Sequence, residues 1–254
     1  MNLSMDLGLA TEYRSRCQIA RVVTEGWAEK NLYCPSCDAP SLNRSPDNTR
    51  AVDFWCNQCE QQYQLKSGAT WSENRIVDAG YSTMIAAIRS DRVPNLFVMQ
   101  YSVDWWVYNL LLIPFFFFIE SAIQKRKPLG LSARRAGWVG CNFLLDRIPP
   151  DAKIPVVDAG EAVSPAIVRK AYKKVRPLEK LNIEKRGWTL DVLNIVRSLK
   201  KNEFVLSEVY DHADQLAELH PQNHHIHDKI RQQLQVLRDL DLLEFLGAGS
   251  YRLR

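Results

Sequence analysis

Seven residues within one stretch of 33 could bind metal or act on phosphate. Four are cysteines, arranged as Cys34-Pro-Ser-Cys37 and Cys56-Asn-Gln-Cys59 with 18 residues between the pairs. Each C-x2-C turn brings two sulfurs to one ion, so four thiolates at this spacing can close a tetrahedral site. With every position filled by protein, the ion is structural rather than catalytic, and Zn2+ is the metal expected. A disulfide pairing would need an oxidising compartment, to which nothing in the sequence points. The other three are Asp53 and the pair Gln64 and Lys66, which flank Leu65. Phosphodiester hydrolysis needs a hard divalent cation held by oxygens and a positive group near the attacking water. Asp53 offers a carboxylate, Gln64 an amide oxygen, Leu65 a main-chain carbonyl and Lys66 an ammonium.

The elements that must position these groups are legible around them. Residues 52–68 read as a hairpin with Cys56–Cys59 at its turn. Alternation along a strand sets Asp53 apart from Val52 and Phe54, and puts Gln64 and Lys66 on a face opposite Tyr63 and Leu65. The knuckle then fixes the register that brings Asp53 alongside Gln64 and Lys66. Before the hairpin, Tyr13, Cys17, Ala20, Val23 and Trp27 form one apolar stripe of a helix, which makes Cys17 a core residue. Glu25 on the same helix is a further candidate ligand. After it, Val77, Tyr81, Met84, Ile85 and Ile88 predict a second amphipathic helix, and "NLFVMQY" a strand. The run Trp105–Ile119 is too short for a membrane span and is interrupted by Asn109 and Pro114; it reads as one or two buried strands broken at Pro114. Cys141 lies in an apolar, strand-like stretch. Helices alternating with strands predict an α/β (α+β) fold with a mixed central sheet.

From about residue 183 the texture changes. Trp188–Leu199 predicts one helix, Ser207 caps a second, and Asn223 caps a third that runs to about Leu240. Leu242–Leu246 and Tyr251–Leu253 flank Gly247-Ala248-Gly249, read as a three-residue hairpin loop. Three helices and a β-wing make a winged helix-turn-helix, with the third helix in a DNA major groove. Asn223, His225, Ile226, Lys229, Arg231 and Gln233 cluster at its start as base and phosphate contacts; His224, His225 and His227 could alternatively bind a second metal. The expected division is 1–182 and 183–254. A second DNA-facing candidate is Lys125–Gly140, where Arg134 and Arg135 suit phosphate or guanine and Trp138 is an apolar face beside them.

The arrangement Asp53, ten residues, Gln64-Leu65-Lys66 resembles the motif of the PD-(D/E)XK nuclease superfamily, with Gln64 where Asp or Glu is usual. Over all 254 residues the chain is similar to methyl-directed restriction endonucleases of that superfamily. The resemblance implies Mg2+ at Asp53, Gln64 and Leu65, and a double-stranded DNA substrate, 5'-GATC-3' with N6-methyladenine on both strands, cut bluntly within the site. It also implies that Trp138 contacts DNA. The rival readings are a non-enzymatic methyl-DNA-binding regulator and a nuclease acting on RNA or DNA ends.

Composition agrees with a DNA-acting globular protein. Hydrophobic residues at 46% and charged residues at 24% exclude a disordered or collagen-like chain. Residues 122–186 hold 15 Lys/Arg against 6 Asp/Glu, a stretch that draws polyanions. The N-terminus lacks the basic and apolar regions of a signal peptide, so an intracellular, cytoplasmic protein is expected. No membrane partner and no dimerisation helix is evident, and a monomer is expected.

Overall fold

The computed structural model of the chain describes residues 1–46, 49, 51–70, 72 and 74–254. Its helices are α1 (Arg16–Asn31), α2 (Tyr81–Arg89), α3 (Pro165–Val175), α4 (Ile183–Ser198), α5 (Leu206–Tyr210), α6 (Ala213–Leu219) and α7 (Ile226–Asp239). Its strands are β1 (Asn43–Arg44), β2 (Phe54–Trp55), β3 (Gln62–Gly68), β4 (Arg75–Gly80), β5 (Asn95–Tyr101), β6 (Val107–Ile113), β7 (Ile123–Lys125), β8 (Gly140–Leu144), β9 (Ile154–Asp158), β10 (Glu161–Ala162), β11 (Glu203–Val205), β12 (Leu243–Gly247) and β13 (Ser250–Leu253). Packing gathers them into two compact, discontinuous units: Met1–Ser72 with Pro94–Phe115 and Asp151–Lys173, and Glu73–Val93 with Phe116–Pro150 and Lys174–Arg254.

The first unit holds a mixed sheet in the order β1-β2-β3-β5-β6-β9-β10. β3 and β5 pair in parallel, so the chain needs a long crossover between them, which it makes through β4 and α2. Residues 95–97 and 99 of β5 are all buried, the near-continuous apolar run of an inner strand. The polar exception, Asn95, is fully satisfied: its Nδ2 donates to Gln61 Oε1 (2.9 Å) and the Gln62 carbonyl (3.0 Å), and its Oδ1 accepts from the Phe115 N–H and the Tyr172 hydroxyl, each at 3.2 Å. This one amide pins the start of β3. Asn109, the interruption in the apolar run, is used in the same way, donating to Gln100 Oε1 and accepting from the Ala159 N–H.

Two expectations need correction here, and a third, one or two strands broken at Pro114, narrows to one. Helix α1 begins only at Arg16, so Tyr13 precedes it and Cys17 sits exposed in its first turn; the buried stripe is Val23, Thr24, Trp27 and Ala28. Val77 belongs to β4 and is 57% exposed; its four-residue spacing to Tyr81 imitates a helical period across a strand-to-helix junction. Past Pro114 the chain winds into a 3-10 turn, Phe115–Phe117, instead of a second strand, because proline cannot donate to a ladder and the turn buries Phe116 and Phe117.

The second unit contains the antiparallel sheet β4-β8-β7 and a winged helix of α4 to α7 with the sheet β11-β13-β12. Leu190, Leu193, Leu216, Ile230, Leu234 and Leu237 fill the interior between these helices. Asn182 caps α4 by accepting from the Lys185 N–H (2.9 Å). The second predicted helix is split into α5 and α6. Ser207 lies inside α5, whose cap residue is Val205, with its N–H donating to Glu208 Oε2. Asn223 Oδ1 accepts from the His225 N–H (2.8 Å) and shapes the turn that leads into α7. The expected boundary at 182/183 falls inside this unit, because α4 packs with the segments around residues 91 and 121: buried Arg186 pairs with Asp91, and Ser121 Oγ donates to Asp191 Oδ1 (2.8 Å). No helix among the described residues is long and apolar enough to cross a membrane.

Gly247 pairs with Ser250, so the wing turns through two residues, not three. These are Ala248 (φ 48°) and Gly249 (φ 76°), both in the left-handed region that a type I′ hairpin demands. An alanine there carries a strain of about 1–2 kcal/mol, partly offset by its lower unfolded-state entropy. Ala248→Gly should therefore raise stability by about 0.5–1 kcal/mol in chemical denaturation.

Candidate active site and metal centre

The hairpin that carries both chemistries is very short. Only Phe54↔Tyr63 and Trp55↔Gln62 pair, and the chain between them is closed by Cys56 N–H to the Gln61 carbonyl (3.0 Å) and Glu60 N–H to the Cys56 carbonyl (2.9 Å). Across this turn the sulfurs of Cys34, Cys37, Cys56 and Cys59 lie within 4.8 Å of one another. The Cys34–Cys59 and Cys37–Cys56 sulfur distances are both 3.5 Å, against about 3.8 Å for sulfurs around a tetrahedral zinc with bonds of ~2.3 Å. The cluster can therefore hold a metal ion. Burial pushes the Cys34 thiol above its ordinary pKa without a metal, so an ion entering must displace a proton. From α3, Arg169 steadies the first knuckle: its Nε donates to the Cys34 carbonyl (3.1 Å), its Nη2 to the Ala39 carbonyl (2.9 Å), and its guanidinium lies 5.2 Å over the Tyr33 ring.

Asp53 stands directly before β2. Its N–H donates to the Tyr63 carbonyl (2.9 Å), and its Oδ2 accepts from the Leu65 N–H (2.7 Å). These two bonds hold the carboxylate against the strand that bears Gln64, Leu65 and Lys66. Burial raises the Asp53 pKa; the Leu65 N–H opposes that, the charge of Glu25 adds to it, and Arg21 and Lys66 pull it down. All three catalytic candidates are thus on the same strand pair, with Lys66 near enough to act on Asp53. Among the described residues the Gln64 side chain makes no hydrogen bond, and it is half-buried.

Glu25 faces the same place from α1. Its Oε1 accepts from Arg21 Nε (2.8 Å) and its Oε2 from Arg44 (3.0 Å). Glu25, Arg21, Arg44 and Asp53 line a cleft of about 220 Å³, and Arg21 and Glu25 also line an adjacent one of about 470 Å³ that reaches Leu65 and Ser67. The two arginines were not singled out from the sequence. Arg21 had a readable signal, its i,i+4 spacing to Glu25; Arg44 had none.

The DNA-contact candidates lie in the second unit. Trp138 packs against two glycines: a Cβ built on Gly140 would stand 2.8 Å from the indole, and one on Gly80 would stand 3.4 Å from its nitrogen. The Arg135 guanidinium covers the ring at 4.8 Å, while Arg134 is exposed. On α7, Asn223, His225 and Ile226 stand at the N-terminal end, and Lys229 lies 5.6 Å over the Trp188 ring. Arg231 donates to the Tyr210 hydroxyl (2.9 Å) and pairs with Asp228. Gln233 is a correction. It is fully buried, accepting from Thr189 Oγ1 (2.8 Å), because the inner stripe of α7 runs through 230, 233, 234 and 237. The histidines His224, His225 and His227 form no metal cluster; among the described residues the four cysteines do.

The DpnI family model, described as the Dam-replacing family, matches residues 1–181, and the Dam-replacing HTH domain matches residues 184–253. The chain belongs to the DpnI, or Dam-replacing, family. It is a DNA-acting protein of that family, with a mixed α/β fold and a C-terminal helix-turn-helix. The two matches leave only residues 182–183 between them, and Asn182 is the cap of α4.

Folding raises the Asp53 pKa, so ionisation of this group opposes the folded state. Its contribution is fully present below the unfolded carboxylate value of about 4 and is lost as pH rises through the folded value. Asp53→Asn should accordingly raise the melting temperature at pH 7. The gain should vanish in scans below about pH 4.

Proposed function

We propose that the chain is a Mg2+-dependent endonuclease that hydrolyses double-stranded DNA at 5'-GATC-3' sites carrying N6-methyladenine on both strands, with a blunt cut within the site. The observation that carries this reading is the Asp53 carboxylate held on the Leu65 N–H, beside Lys66, in a chain matched by the Dam-replacing family. Residues 1–182 would form a PD-(D/E)XK nuclease domain with a structural Zn2+ at Cys34, Cys37, Cys56 and Cys59, and residues 183–254 the winged-helix reader. The enzyme would work as an intracellular monomer.

Asp53, the Leu65 carbonyl and the Gln64 amide are hard oxygen donors of the kind Mg2+ takes. When bound, the ion neutralises phosphate charge and makes a hydroxide available near neutral pH. Lys66 places an ammonium where charge grows on the phosphate, and the bond from Leu65 keeps Asp53 in one orientation as that charge develops. Glu25, ion-paired with Arg21 and Arg44, lines the same cleft as Asp53.

Gln64 and the paired Glu25 leave the site poor in free carboxylate. That favours one alternative, a methyl-DNA-binding regulator that does not cut. Incubation with methylated and unmethylated GATC plasmid, with and without Mg2+, decides between them: cutting of methylated plasmid only with Mg2+ supports the enzyme, while methyl-dependent binding without cutting supports the regulator. Asp53→Ala and Lys66→Ala should abolish cleavage and leave binding of methylated DNA largely intact. Gln64→Glu should lower the Mg2+ concentration needed for half-maximal cleavage, read from a metal titration.

For the methyls, Arg134, His225, Ile226 and Lys229 would supply positioning and base contacts, and Trp138 the apolar wall. Two buried methyls at about 0.8 kcal/mol each give roughly 15-fold selectivity if read once. Reading by both the loop and the winged helix multiplies it. Trp138→Ala should reduce the ratio of methylated to unmethylated cleavage by about 10-fold, with a smaller effect on folding, measured at one fixed salt concentration.

A further inference from the structure

Tyr63 stands between the cysteine cluster and Asp53, and neither chemistry so far uses its hydroxyl. It is fully buried in β3, one residue before Gln64, and its ring stacks on Phe97 with centroids 5.4 Å apart. At its main chain, the carbonyl accepts from the Asp53 N–H (2.9 Å). At its other end, the hydroxyl oxygen lies 3.2 Å from Cys34 Sγ, and Cys34 is itself sealed from solvent. Four thiolates around one divalent ion carry net negative charge. A buried anionic sulfur is costly unless a donor reaches it. The ring alone fills the core, so the hydroxyl is the part that needs this partner.

Resting on the reading of the four cysteines as a zinc site, we propose that the Tyr63 hydroxyl donates a hydrogen bond to the metal-bound Cys34 thiolate. It thereby acts as a positioning residue that ties the metal centre to the strand of Gln64, Leu65 and Lys66. The direction of the bond is fixed, since a metal-bound thiolate has no proton to give. Donation to an anion makes it a charge-assisted bond, stronger than a neutral one. Cys34 is then held twice, at its carbonyl by Arg169 and at its sulfur by Tyr63. The same residue that steadies the sulfur also accepts the Asp53 N–H, so a shift at the metal is passed to the carboxylate through a single side chain and its own peptide.

Cobalt(II) substituted into the full chain tests this. The energy of sulfur-to-cobalt charge transfer falls when a sulfur loses a hydrogen-bond donor, whereas the visible d–d bands report tetrahedral geometry. Tyr63→Phe keeps the ring and its stack, so it should move the charge-transfer bands to longer wavelength while the d–d bands stay in place. Unmoved charge-transfer bands beside intact d–d bands would overturn the proposal. Should the variant fail to fold, the wild-type chain loaded with NMR-active cadmium gives the same answer: the Tyr63 hydroxyl proton is expected to show scalar coupling to the metal through sulfur, and no such coupling overturns the bond. A wild-type chain that binds neither cobalt nor zinc overturns the zinc reading, and this inference with it.

Discussion

Everything proposed for this site depends on the register of one two-residue strand pair. A slip of one residue in a strand exchanges its faces, and β2 is far too short to resist that by its own ladder. Three constraints from outside the pair do so instead. The cysteine knuckle closes the turn, the Asp53 N–H is committed to the Tyr63 carbonyl, and the Asn95 amide grips Gln61 and Gln62 from the neighbouring strand. The scaffold and the reactive groups share a hairpin because the hairpin would not hold its register without the scaffold.

The cleft beside it shows a compromise in charge. Burial alone would drive Asp53 towards its neutral form, and Glu25 adds to that; Arg21, Lys66 and the Leu65 N–H oppose them. A carboxylate kept in this balance costs stability at neutral pH, which is a common feature of sites kept for function. Gln64, neutral on the neighbouring strand, adds no further negative charge to the same crowded place.

Much of this was legible in the sequence where local chemistry decides structure. The cysteine spacing located the cluster that can hold a metal ion, and the alternation along Gln62–Gly68 set Lys66 and Tyr63 on one strand. "NLFVMQY" coincides with β5, and the glycines marked the wing. What could not be read was decided by tertiary contact. Cys17 has a core residue's spacing, but the helix starts too late to bury it. Gln233 looks like a base reader until the α7 stripe closes over it and Thr189 takes its amide oxygen. The split of the second winged-helix segment into α5 and α6 had no compositional sign. The packing of α4 with residues around 91 and 121 rests on side chains more than 60 positions apart, which no linear pattern reveals.

The indole of Trp138 rests on bare main chain at Gly80 and Gly140. Because no Cβ intervenes, the ring packs directly on the main chain where β4 ends and β8 begins. Any side chain at Gly140 would act as a wedge and push the ring outwards by a methyl's thickness or more. How far this ring stands off the main chain is therefore set two residues away. A bare glycine acts as the depth stop of the residue beside it.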